Sequence, residues 1–296
     1  MSSRTSAPAH ETPEHGQGAL VVVGTPIGNL SDASDRLRNV LRTADVLAVE
    51  DTRTLHRLAA GLGVSVGGRV VTHHEHNENA RTDELLDEVR AGRTVAVLSD
   101  AGMPTVSDPG FPLVRAAAEA DLTVSVLPGP SAVLAALAVS GLPTDRFTFE
   151  GFLPRKAGER AAVLAGLSSE QRTMVFYESP HRLAEMLTAV RDAMGGDRRA
   201  AVCRELTKLH EEVLRDDLDG LVAWSTGHQV RGEIVVVLHG AAPAPAPAPE
   251  DLVAEVEARV ASHGIKLKAA AREVAAERGV STRHLYDAVV AARGRD

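Results

Sequence analysis

The stretch Val21-Val22-Val23-Gly24-Thr25-Pro26-Ile27-Gly28-Asn29 decides the fold. Its apolar run is too uniform for a strand with one wet face, and it ends abruptly in glycine and proline. That is how a strand buried on both sides enters a tight loop. The glycines let a ligand approach the backbone closely, while Pro26 fixes one φ angle. Outward from this stretch the same pattern recurs. Short apolar runs at Leu20–Val23, Val46–Val49, Arg69–Thr72, Val95–Leu98 and Leu122–Leu127 alternate with helical stretches near Asp32–Arg42, Thr54–Leu62, Asn79–Ala91, Phe111–Ala120 and Ser131–Ser140. Strands joined by helical crossovers predict a mostly parallel sheet, and such sheets bind ligands at the carboxyl ends of their strands.

A second α/β lobe is expected from about Thr144–Phe149. It has strand-like runs at Thr173–Tyr177, Ala200–Arg204 and Glu233–Leu238, and helices near Ala157–Leu167, Pro180–Met194 and Leu218–Ser225. The domain reading is then a disordered tail over 1–17, a first α/β lobe over 18–143, a second over 144–240, an Ala/Pro spacer over 241–249 and a helical module over 250–296. The module's three helical stretches, Asp251–Ala261, Lys266–Arg278 and Thr282–Ala292, include a helix-turn-helix-like break at Val280-Ser281-Thr282. The 296 residues suit two domains with a small appendage, and 44% hydrophobic residues suffice for their cores. Cys203 is the only cysteine, so no internal disulfide forms. With no apolar run long enough to span a bilayer and no secretory pattern, the cytoplasm is the expected compartment. A net charge of −8 excludes a uniformly basic, nucleic-acid-coating surface.

Three loops at strand ends carry the chemistry. The first holds Pro26 and Gly28; it lacks both G-x-G-x-x-G and Gly-Lys-Ser/Thr, which disfavours nicotinamide dinucleotides and P-loop nucleotides. The second, Ser99 to Gly110, is long for a connection; Asp100, at its start, suits a ribose diol or an amine, or simply caps a turn. The third, Leu127 to Ala132, places Ser131 as the N-cap of a helix whose amides can face a ligand. Together they outline one crevice. Glu50-Asp51-Thr52-Arg53 ends the second strand and His73 to Asn79 follows the third. A metal site is not expected there, because the adjacent His73 and His74 point to opposite faces of a strand. Arg155, Lys156 and Arg160 cluster in the second lobe, and Tyr177 and Arg204 to Lys208 end two of its strands.

These residues resemble the tetrapyrrole-methylase superfamily, and within it the branch that methylates small-subunit ribosomal RNA. The resemblance runs from about Gly18 to Gly240 and on through the C-terminal helices. It is carried by Gly-Thr-Pro-Ile-Gly-Asn-Leu from 24, Glu-Asp-Thr-Arg from 50, His-Glu-His-Asn-Glu from 74, Ser-Asp-Ala-Gly-Met-Pro from 99, Pro-Gly-Pro-Ser-Ala from 128, Phe-Tyr-Glu-Ser-Pro-His-Arg from 176 and Arg-Glu-Leu-Thr-Lys from 204. It implies S-adenosylmethionine in a cleft between two α/β lobes of a homodimer, and 2′-O-methylation of a cytidine in 16S-type RNA, free or in the assembled subunit. It further implies that Pro26, Gly28, Asp100, Ala101, Gly102, Met103, Ser131, Ala132 and Tyr177 line the cofactor pocket. Candidate bases for the ribose hydroxyl are Glu50, Asp51 and His74; candidate cations are Arg53 and Lys208. Phosphates would meet Arg155, Lys156 and Arg160, and also the C-terminal Lys266, Lys268 and Arg272. In that C-terminal segment seven cations, with Arg278, Arg283, Arg293 and Arg295, face four anions, Glu273, Glu277, Asp287 and Asp296. Competing readings are methylation of a corrinoid precursor and a non-catalytic RNA-binding assembly factor; a nicotinamide oxidoreductase lacks its glycine fingerprint.

Overall fold

The computed structural model describes residues 18–74, 77–243 and 247–294. The tail expected over 1–17, Glu75, His76, the middle of the spacer, and Arg295 lie outside the described residues. The first sheet holds β1 (Ala19–Val23), β2 (Val46–Val49), β3 (Arg69–Thr72), β4 (Thr94–Leu98) and β5 (Thr123–Leu127), all parallel in the order β3-β2-β4-β1-β5. Every residue of β1, β2 and β4 is buried, as their unbroken apolar runs require. One face packs against α1 (Asp35–Thr43) and α2 (Thr52–Leu62) through Leu37, Leu41 and Leu55. The other packs against α3 (Glu78–Arg90) and α4 (Phe111–Glu119) through Leu85, Val89 and Leu113. Ser34 caps α1 by accepting from Leu37 N at 3.1 Å, and Gly63, in the left-handed region, ends α2.

This strand order sets up the site. β4, β1 and β5 are neighbours, so the loops leaving their carboxyl ends lie side by side although they are far apart in sequence.

α5 (Ala132–Ser140) follows β5 but packs on a second sheet. That sheet runs β6 (Phe147–Phe152), β7 (Thr173–Glu178), β10 (Ile234–Leu238), β8 (Arg199–Arg204), β9 (Glu212–Asp217), with only the β6–β7 pair parallel. Val133, Ala136 and Leu137 of α5 meet Val175, Ala201, Cys203, Val235 and Val237 on one face. α6 (Ala157–Leu167), α7 (Leu183–Met194) and α8 (Leu218–Gly227) cover the other, with Leu164, Met186, Leu187 and Leu221 buried against Phe176, Val202 and Val236. The sequence reading has no strand at Glu212–Asp217, because this edge strand is polar and only half-buried.

Residues from Ala242 onward form a separate compact unit. α9 (Val253–His263), α10 (Leu267–Arg278) and α11 (Thr282–Arg293) enclose Val256, Ala270, Ala271, Val274, Leu285 and Val289. Gly279 ends α10 in the left-handed region, and Ser281 caps α11 by accepting from His284 N at 3.4 Å, which makes the expected helix-turn-helix connection.

Candidate active site

The three first-sheet loops are bonded to one another through their backbones. Gly24 N donates to Leu127 O at 2.9 Å. Thr25 and Gly102 form a small antiparallel bridge, Thr25 N to Gly102 O at 2.9 Å and Gly102 N to Thr25 O at 3.2 Å. Gly24 and Gly129 touch backbone to backbone: a Cβ on Gly24 would lie 2.5 Å from Gly129 Cα. The glycines of the opening stretch therefore serve contact between loops. Pro26 is buried, and of the stretch from Gly24 to Asn29 only Ile27 reaches the cavity described next.

That cavity, of about 420 Å³, lies between the two sheets. Ala101, Gly102, Met103, Ser131, Ala132 and Tyr177, all expected from sequence, line it. Pro26, Gly28 and Asp100 do not. Asp100 turns away to accept from Asp51 N at 3.2 Å, joining the ends of β4 and β2. Gly28 lies under the Lys208 stem, whose Cγ would be 2.4 Å from a Cβ there. The sequence reading missed Val106, Asp108, Phe152, Glu178, Leu206 and Glu233, which also line the cavity. Asp108 reads in sequence as the start of a helix and Glu178 as the end of a strand. Only the place of Asp108 in the long loop after β4, and of Glu178 at the end of β7, hinted at a site.

Asp108 and Glu233 bring carboxylates to the walls, and Glu178 lies beside them in β7. Asp108 is pushed up to about 6, chiefly by burial and then by the nearby negative charges of Glu50 and Asp100. The loop that presents it holds Thr105 and Ser107 at φ 73° and 64°, a conformation that side-chain-bearing residues adopt only at a cost. The Glu178 side chain is fully buried. Its Oε1 accepts from Ser179 N at 2.7 Å, whereas Oε2 accepts no hydrogen bond among the described residues and pairs only with Arg182 Nη2 at 3.4 Å. The carboxylate has no accessible surface, so its charge is met by Arg182 within the fold and is not presented to the cavity. Burial also raises the Tyr177 hydroxyl, helped by Asp108 and Glu233.

None of the five expected catalytic groups, Glu50, Asp51, Arg53, His74 and Lys208, lines the cavity. Asp51 caps α2 and is paired with Arg53 at 2.8 Å, which holds its carboxyl down to about 2. Lys208 Nζ is bound to Glu205 and Glu233, each at 2.9 Å. Burial alone would lower its pKa; the two ion pairs outweigh that and raise it. Glu50 lies behind Asp108, raised by its own burial and by Asp100, with His74 nearby. Among the described residues, no group of three His, Cys, Asp or Glu side chains is placed to hold a metal ion.

The expected phosphate ligands divide. Arg155 and Lys156 are exposed on the turn after β6, Lys156 bonded to Glu159 at 2.8 Å. Arg160 is buried, bound to Glu185 at 2.6 Å and to the carbonyls of Pro154 and Arg155, so its guanidinium is consumed in the fold. In the C-terminal unit Lys266, Lys268 and Arg272 are exposed. Arg278 and Arg293, by contrast, bind Glu255 and Glu257, each at 3.1 Å. The sequence count of seven cations against four anions left out these α9 carboxylates, and the excess of positive charge is smaller than it suggests.

Two α/β sheets, with their ligand-sized cavity roofed by strand-end loops, are the architecture of a known methylase class. Residues 19–222 match the tetrapyrrole (corrin/porphyrin) methylases, and the chain belongs to that family. Its fold is shared by uroporphyrin-III C-methyl transferase from Thermus thermophilus, solved with S-adenyl homocysteine. The TM-score is 0.52 at 19% identity, covering 75% of this chain and 97% of that one. Within the family the chain is grouped with ribosomal RNA small subunit methyltransferase I. The protein of that name from Mycobacterium tuberculosis is 52% identical over 277 residues, 93% of this chain and 96% of the relative. The one from Synechocystis is 41% identical over 271 residues, 91% of this chain and 96% of the relative.

Proposed function

We propose that this chain transfers a methyl group from S-adenosylmethionine to the ribose 2′-oxygen of a cytidine in 16S-type small-subunit ribosomal RNA. The name its relatives carry, ribosomal RNA small subunit methyltransferase I, supports the substrate. The observation that carries the cofactor is the cavity between the sheets, lined from both sides by the strand-end loops and by Tyr177, Leu206 and Val235. At about 420 Å³ it falls in the usual range of small-molecule sites, ~300–1,000 Å³. Met103, Tyr177, Leu206 and Val235 give apolar surface for a purine, and the start of α5 offers backbone amides at Ser131-Ala132.

When bound, S-adenosylmethionine supplies a methyl carbon whose bonding electron pair leaves with sulfur. The chain's contribution is to hold the ribose hydroxyl in line with that carbon and to take its proton. Asp108 is the group we assign to the proton. It lines the cavity, and a carboxyl titrating at about 6 is ionised at neutral pH yet more basic than an ordinary carboxylate. The assembled loops keep the geometry fixed, and alignment supplies much of the acceleration.

Arg155, Lys156, Lys266, Lys268 and Arg272 are assigned to RNA phosphates, which makes binding fall steeply with salt. A second copy of the chain is assigned to the β5 edge, where Val124 and Val126 are 37% and 51% exposed. No helix among the described residues is long and apolar enough to cross a membrane; the RNA substrate supports assigning the chain to the cytoplasm. The test offers labelled S-adenosylmethionine with small ribosomal subunits, their free RNA, or precorrins. Label appearing as 2′-O-methylcytidine supports the reading; label only on the macrocycle overturns it. Cofactor binding without transfer to any RNA would favour a non-catalytic role.

A further inference from the structure

Phe152 sits where a regular strand would not put it. Side chains alternate along a strand, so Phe149 and Phe152 would face opposite ways. β6 carries one extra residue between them: Phe149 pairs with Val175, and Gly151, not Glu150, pairs with Phe176. Gly151 adopts φ 65°, the left-handed conformation that suits a glycine in such a bulge. The bulge returns Phe152 to the face of Phe149, and both rings meet Tyr177 at steep angles, with centroids 5.7 and 4.9 Å away. Phe149 is packed into the core beneath, whereas Phe152 lines the cavity and stays 56% exposed. A backbone irregularity has thus set an aromatic ring on the rim of the site. The chain then runs directly into exposed Arg155 and Lys156. An aromatic face beside cations is the pattern that holds unpaired nucleotides, by stacking on the base and pairing with the phosphates.

We propose that Phe152 is the platform on which the base of the target nucleotide stacks, while Arg155 and Lys156 hold the flanking phosphates. The inference rests on the RNA reading above and adds the residue that positions the nucleotide. The cofactor's adenine has the same stacking chemistry, but an enclosed site buries most of such a ligand, and Phe152 is at the open rim.

The test compares Phe152→Ala, Phe152→Leu and Phe152→Tyr with the unsubstituted chain. The readouts are methyl transfer to small subunits lacking the modification and calorimetric titration with S-adenosylhomocysteine. We expect Phe152→Ala to raise the KM for subunits by roughly 5- to 150-fold, the range of one base–aromatic stack, with S-adenosylhomocysteine affinity unchanged. Phe152→Leu, which keeps the bulk but not the ring, is expected to fail nearly as badly, and Phe152→Tyr to restore transfer. Parallel weakening of S-adenosylhomocysteine would assign the ring to the cofactor and overturn the proposal. So would a fully active Phe152→Leu, or an unchanged KM in Phe152→Ala. If the unsubstituted chain transfers nothing to subunits, the RNA reading itself fails; transfer that ignores Phe152 sinks only the platform.

Discussion

The two walls of the cavity are built from different materials. The first-sheet wall, which shows Ile27, Gly102, Met103 and Asp108 to the cavity, is braced from behind by backbone: Gly24 against Gly129, Thr25 bridged to Gly102, and Asp100 tied to Asp51 N. The second-sheet wall is mostly side chain: Phe152, Tyr177, Leu206, Glu233 and Val235. A backbone wall tolerates little change in shape, because its contacts have no rotamers with which to yield. A side-chain wall can be altered chemically while its strands stay put. The first therefore controls whether the site exists, and the second what it recognises.

The sharpest way to break this contrast is Gly24→Val. A side chain there would press on the Gly129 backbone and the Met103 sulfur, so we expect a loss of about 3 kcal/mol or more of stability in urea denaturation. A variant as stable as the parent would mean that the loops are not locked together.

Asp108→Asn comes next. It is expected to lower the turnover rate by roughly 100-fold and to abolish a rise in rate with pH centred near 6, since only the ionised carboxylate takes a proton. An unchanged pH–rate profile would remove Asp108 from the chemistry. The same group has a stability signature. Its folded pKa lies above its ordinary 3.8, so the folded chain binds the proton more tightly, and stability falls as pH rises from 3.8 to about 6. Asn has no charge to desolvate, so the variant's stability should gain on the parent's by about 1 kcal/mol between pH 4 and pH 7, partial exposure having been discounted. The comparison of denaturation curves at those two pH values checks it.

Tyr177→Leu probes the second wall with less violence. Losing a ring that lines the cavity should weaken S-adenosylhomocysteine by about tenfold, with only a small drop in melting temperature because most of the apolar volume is kept. Unchanged affinity would take Tyr177 out of the recognising wall. The smallest effect belongs outside both walls. Asp51 and Arg53 form an exposed pair, and Arg53→Ala should leave the urea midpoint nearly unchanged and turnover intact. A large loss of turnover would return Arg53 to the catalytic machinery.

The same contrast explains what could be read from the sequence. The first wall is written in glycine, proline and unbroken apolar runs, whose backbone consequences are local. β1 to β5 and all three loops were therefore legible. What those glycines do was not: Gly24 and Gly129 are far apart in the chain, and only the order β4-β1-β5 brings them into contact. The second wall depends on side chains whose neighbours are set by strand pairing. Phe152 reaches the cavity through a one-residue bulge, and β9 is a polar edge strand; neither leaves an apolar signature. Charge misled for a related reason. Asp51, Arg53, Lys208 and Arg160 looked available in sequence, and each is consumed by a partner in the fold.

The most direct test of a shape-giving wall and a recognising wall is calorimetric titration of S-adenosylhomocysteine into Asp100→Ala and Tyr177→Leu, side by side with the parent. The account predicts that Tyr177→Leu, which removes a ring lining the cavity, weakens binding by about tenfold, while Asp100→Ala, whose carboxylate bonds the β2 end and does not line the cavity, leaves it unchanged. Loss of affinity in Asp100→Ala with none in Tyr177→Leu would contradict it.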